Sequence, residues 1–228
     1  MELPIFSDNL RSSGTWSASL GRAREAWLAG RAALEPEVRR EQARHARARS
    51  GGRLGEARLL EAARLVGGWA AAPEATLTQG QLIGIYRALT GAVGEESLFR
   101  MAEAVPLSPA HNPAPAVILP RLVANALDWF TTEGFAEMHP VEQAALVHLR
   151  LLDLQPFGSA HEPVALLAAG FYTERAGLPP LIIHADEATG ARYAAAVEAA
   201  LRMLTQPLVE FFAASLSRTM RMGSGDEG

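Results

Sequence analysis

The chain has 228 residues, 49% of them hydrophobic, with 25 acidic and 21 basic side chains and a net charge of −4. That length and apolar content suffice for one sizeable core, and the acidic balance disfavours the broad cationic surface that nucleic-acid binding requires. With no cysteine present, disulfides, thiolate catalysis and zinc–thiolate sites are excluded.

No run approaches the ~20 consecutive apolar residues of a membrane span, and the opening MELPIFSDNL lacks the basic start and apolar stretch of a signal peptide. A cytoplasmic location is therefore expected, with neither a membrane nor a nucleic acid as partner. Every basic residue is arginine, a bias that matches a GC-rich bacterial genome and needs no functional patch to explain it.

Apolar residues recur at three- and four-residue spacing and strict alternation is nearly absent, which predicts an all-α fold. In chain order the helices are expected over about 17–33, 37–49, 56–67, 78–90, 120–130, 140–153, 163–176, 186–204 and 205–217. Thr78 suits an N-cap, Pro140 and Pro163 suit a first helical position, and Gly177 with two following prolines ends a helix. Residues 91–120 form the main irregular stretch, with five prolines from Pro106 to Pro120. Pro109, Pro113 and Pro115 remove backbone donors there and would impair strand pairing. The division expected is an N-terminal helical extension over 1–75, a helical domain over 76–218 and a disordered tail over 219–228.

The segment Leu154-Gln155-Pro156-Phe157-Gly158-Ser159-Ala160-His161-Glu162-Pro163-Val164-Ala165-Leu166-Leu167 joins two of these helices. It resembles the signature of the Fic (Fido) family, which reads His-Pro-Phe-x-(Asp/Glu)-Gly-Asn-Gly-Arg-x-x-Arg, and of that pattern only Pro156 and Phe157 survive. The flanking blocks LPRLVANALDWF, HPVEQAALVHLRLLDL, AGLPPLII and TQPLVEFF, and the earlier LIGIYRALTG, resemble the family in the same order. The likeness implies a Fic-like helical bundle in which residues 91–120 take the place of a target-aligning flap, either a short hairpin or an irregular Pro-rich connection.

The resemblance also implies what has been lost. Gln155 stands for the general base, whose loss alone typically costs ~10²–10⁴ in rate. Ser159 stands for the carboxylate that holds Mg²⁺, Ala160-His161-Glu162 for the phosphate-cradling Gly-Asn-Gly, and Pro163 and Leu166 for the two arginines. A carboxylate at Glu162 would repel a phosphate by about 4 kcal/mol at ~4 Å and an effective dielectric near 20. Tyr193 matches a position near the adenine; by its place on an amphipathic helix it reads first as a residue packing on the core. Ser50-Gly51-Gly52-Arg53-Leu54-Gly55 has the spacing of the family's inhibitory motif with Leu54 in place of Glu; a glycine-rich link between helices is the alternative.

No metal site is expected, because His139, His148, His161 and His184 lack the pairing of a helical zinc site and read as surface or loop histidines, with a packing role open for His148. The Arg-rich stretch 39–53 reads as a solvated helix face. These readings imply a degenerate Fic-like protein without AMP transferase activity and without a cofactor, acting as a binding, scaffolding or regulatory module on an unknown protein partner, with homo-oligomerisation open. The alternative is a diverged nucleotidyl or phosphoryl transferase acting on protein hydroxyls, using ATP and Mg²⁺ with His161 or Glu162 as a relocated base.

Overall fold

A computed structural model describes residues 14–93, 99–109 and 111–222. Among these the fold is all-α. The helices are α1 (Gly14–Arg49), α2 (Glu56–Ala70), α3 (Gln79–Thr90), α4 (Leu119–Trp129), α5 (Glu133–Ala136), α6 (Pro140–Leu154), α7 (His161–Arg175), α8 (Glu187–Leu201) and α9 (Gln206–Met222). A 3₁₀ turn at Ala116–Ile118 leads into α4.

α6 and α7 form the centre, packing against each other more extensively than any other pair. Their sequences are apolar on nearly every side, as helices buried all round must be, and 13 of the 15 residues of α6 are buried. The remaining helices lay one apolar face each on this pair or on each other, so a single cluster of buried side chains runs from Leu20 to Met220. Phe157, Leu166, Leu167 and Phe171 lie in it, as the spacing predicts.

Local punctuation explains several ends. Thr78 caps α3 in a reciprocal box: its Oγ1 accepts from the Gln81 amide at 3.2 Å, and Gln81 Oε1 accepts from the Thr78 amide at 2.9 Å. Gly91 and Gly177, at φ 73 and 76°, supply the left-handed turns after α3 and α7. His139 caps α6 through Nδ1, which accepts from the Val141 amide at 3.2 Å, a role the sequence reading did not assign.

Three expectations are corrected. The helices expected at 17–33 and 37–49 are one, α1, with Pro36 inside it; the proline forfeits one amide donor, and packing on α2 and α9 holds the helix together across it. Residues 219–222, expected in the tail, belong to α9, which continues to Met222 and buries Thr219 and Met220. α7 begins at His161, so Pro163 is its third residue and not its first. Residues 94–98 and 110 of the flap-like stretch, and 223–228 of the tail, lie outside the described residues. No helix among the described residues is long and apolar enough to cross a membrane.

Candidate functional site

The loop between α6 and α7 is set by two residues in left-handed conformation. Gln155 (φ 43, ψ 61) ends α6 and Ala160 (φ 55, ψ 29) precedes α7. A side chain at such angles is strained unless its surroundings fix it, and here they do. Phe157 is fully buried, stacked on Tyr86 with ring centroids 4.3 Å apart. The Arg100 amide donates to Pro156 O at 2.9 Å, and its Nε donates to Gln155 O at 2.8 Å. Phe99 and Phe157 form an isolated antiparallel bridge. Phe99 and Arg100 are thereby sewn to the loop. His111 adds a further stitch: its Nδ1 accepts from the Leu107 amide, which leaves Nε2 to donate to Asp153 O at 3.0 Å.

In front of this loop lies a cavity of about 910 Å³. Its back wall is the start of α7, from Gly158 to Pro163, with Leu166. Its front wall is the α1–α2 connection, including Arg49, Ser50, Arg53, Leu54, Gly55 and Arg58. Leu152, Leu181, Ile182, Ile183, Tyr193 and Val197 complete a largely apolar lining. The structure thus brings Ser159, Ala160, His161, Glu162, Pro163, Leu166 and Tyr193 together on one cavity and sets Ser50, Leu54 and Gly55 opposite them.

Gln155 is the exception. It is 2% exposed and does not line the cavity; its Nε2 donates to Val105 O at 3.2 Å. Ser159 Oγ lies 3.5 Å from Tyr86 Oη. His161 has a buried Nδ1 with no partner, and burial, helped by the charge of Arg100, lowers its pKa.

The carboxylate of Glu162 does not stand alone, which corrects the expected repulsion. Arg49 at the end of α1 donates to Glu162 Oε1 from Nε at 2.8 Å and lies 2.7 Å from it through Nη2. With its side chain 15% exposed, Arg49 also places its guanidinium over the Tyr193 ring, 4.7 Å from the centroid. The Tyr193 hydroxyl is 2.7 Å from His148 Nε2. A chain of contacts thus runs Glu162–Arg49–Tyr193–His148, from the cavity to the middle of α6.

Two more sequence readings change. His148 and His184 are buried, not surface, histidines. The Arg-rich stretch is not wholly solvated either, since Arg39 is buried beside Glu174 and Arg49 is half-buried beside Glu162. The signal was in the spacing: Glu35, Val38, Arg39, Gln42, Ala46 and Arg49 recur at three and four residues along one face of α1.

Burial lowers the His148 pKa from 6.5 to about 3. The folded protein therefore keeps this ring neutral where the unfolded chain takes up a proton, and stability contributed above pH 6.5 is lost as pH falls toward 3. Unfolding titrations should show His148 removing about 2 kcal/mol between pH 7.5 and 5, a loss that the His148→Gln variant escapes. An equal pH dependence in that variant would reject the assignment.

No family model matches the chain. It is 32% identical over 120 residues to protein adenylyltransferase fic-1 of Caenorhabditis briggsae, a match covering 50% of this chain and 23% of that protein. It is 30% identical over 93 residues to protein adenylyltransferase Fic of Drosophila willistoni, covering 41% and 18%. Among solved structures, a Fic domain containing signaling protein from Bacteroides thetaiotaomicron superposes with a TM-score of 0.71 at 17% identity, over 90% of this chain and 96% of that one. The chain carries a Fic (Fido) domain. C. elegans Fic-1 (residues 134–508 of that protein) superposes with a TM-score of 0.63 at 21% identity, over 75% of this chain and 50% of that one. The chain spans less than a third of the length of the curated relatives it matches.

Proposed function

We propose that this Fic domain is a binding or regulatory module that does not transfer AMP. The observation that carries the reading is the placement of Gln155. The residue at the position of the family's general base is an amide, buried and bonded to the Val105 carbonyl, so it neither accepts a proton near neutral pH nor faces the cavity.

Three further features support it. Pro163 has no amide proton and no cation to offer a phosphate. Glu162, the one carboxylate of the loop, is held by Arg49, and Ser159 carries no charge, so the loop does not fit a hard divalent cation. Among the described residues no group of three or more His, Asp or Glu is placed to hold a metal. Tyr193 spends its hydroxyl on His148 and one ring face on Arg49, which leaves little of it for a nucleobase.

A second reading rests on His161, which lines the cavity with a neutral imidazole and an unpartnered Nδ1. This is the arrangement of a relocated base for nucleotidyl transfer. Incubation of the purified protein with radiolabelled ATP, CTP, GTP or UTP and Mg²⁺ separates the two. The expected result is no label on the protein or on a lysate. A transfer signal that His161→Ala abolishes would overturn the binding-module reading.

A further inference from the structure

The cavity has an asymmetry that the loop alone does not explain. Of the charged groups on its walls, Arg49 is neutralised by Glu162, and Glu198 by Arg202 at 2.5 Å. Arg53 and Arg58 remain, both exposed, and neither has an acidic partner among the described residues. Arg53 is oriented by its own Nε donating to Ser50 O at 2.9 Å. Arg58 lies against the left-handed turn after α3, so close to Gly91 that a methyl group there would sit 2.1 Å from its Nη1.

Between these two arginines, Gly55 starts α2 without any side-chain cap. The start of that 15-residue helix belongs to the same wall, with Glu56 in its first turn 4.0 Å from Arg47. A protein with a net charge of −4 thus sets on the wall of its cavity two arginines without an acidic partner among the described residues.

Much of the remaining lining is aliphatic, including Leu152, Ile183 and Val197. Gln42 is 4% exposed, and although its Nε2 donates to Leu181 O at 3.1 Å, its Oε1 has no partner. A buried amide oxygen left without a donor costs about 1–3 kcal/mol, and Gln42 is one of the residues that line the cavity.

We infer that the cavity takes a small organic anion, a carboxylate or monophosphate on an apolar body, with its head at Arg53 and Arg58 and its body on the aliphatic lining. The inference rests on the binding-module reading and names the ligand class for it. A bare phosphate satisfies only the arginines and a neutral lipid only the aliphatic lining. A nucleoside triphosphate places a polar base on aliphatic side chains.

Calorimetric titration of the full chain with decanoate, decanol, inorganic phosphate and ATP tests the assignment. Decanoate is expected to bind one to one with a micromolar dissociation constant, at least tenfold tighter than decanol, with no saturable binding of phosphate or ATP at 1 mM. The double variant Arg53→Ala/Arg58→Ala should weaken decanoate at least tenfold. Ala194→Trp, at an exposed position of α8 that lines the cavity, should abolish binding while the helical circular dichroism stays unchanged. Failure of decanoate to saturate by 1 mM, or binding that neither variant reduces, would overturn the assignment. That outcome leaves the absence of nucleotidyl transfer untouched, whereas a transfer signal would strike only the latter.

Discussion

Replacing Arg39 by alanine is expected to lower the unfolding free energy by about 3–5 kcal/mol, the loss typical of breaking a buried ion pair from one side. Arg39 stands on α1 and ties three helices together: Nη2 donates to Glu174 Oε2 on α7 at 2.7 Å, Nη1 donates to Ala63 O on α2 at 2.8 Å, and Nε donates to Glu35 Oε1 at 2.9 Å. Without it, Glu174 is a carboxylate at 3% exposure whose other oxygen already lacks a partner.

Burial pushes the Glu174 pKa up while Arg39 opposes the rise, so desolvation takes back much of what the attraction supplies. The double variant Arg39→Met/Glu174→Leu should accordingly recover most of the loss. Gly67→Ala should behave like the single variant, because the added methyl would lie 2.1 Å from Arg39 Nη2 and 3.1 Å from Glu174 Oε2. Urea denaturation of the four proteins checks these orders, and a double variant as unstable as Arg39→Ala would show that shape and not charge governs the junction.

The sequence made the helices legible because their apolar spacing and their caps are local properties. Thr78, Gly91 and Gly177 announce ends that the structure places within a residue or two. Pro36 misled for the same reason: a proline is locally a stop, and only the packing of α1 along α2 and α9 overrides it. The motif loop was readable as a scaffold, since Pro156 and Phe157 are retained by packing.

What surrounds that loop was not readable, because it comes from far along the chain. Arg49 lies 113 residues before Glu162, and Arg100 lies 55 before Gln155. No periodicity links such pairs. Arginine at the end of an Arg-rich helix reads as solvated; the spacing along α1 marks its face, but its partners Glu162 on α7 and Tyr193 on α8 appear only in the fold.

Arg100 carries the second large effect, and it acts on the loop itself. Its side chain is 4% exposed, and besides Gln155 O it donates to Ala102 O from Nη1 at 2.9 Å and to Ala114 O and Leu154 O from Nη2. Four carbonyls from three stretches of chain thus share one guanidinium, whose planar fork is what lets a single residue reach them. Alanine there would leave buried carbonyls unpaired, each costing on the order of 1–3 kcal/mol, so a loss of about 3 kcal/mol in unfolding free energy is expected.

The loss should be local before it is global. The strained turns at Gln155 and Ala160 persist only because their surroundings fix them, and without Arg100 the amides of residues 155–160 should exchange with solvent at least tenfold faster while those in the middle of α6 and α7 stay protected. Lysine restores the charge without the fork, so Arg100→Lys should recover less than half of the stability. Hydrogen exchange read by mass spectrometry, with a denaturant titration beside it, tests both statements. Full rescue by lysine would mean that charge alone holds the loop, and unchanged exchange at 155–160 in the alanine variant would mean that Phe157 stacked on Tyr86 suffices.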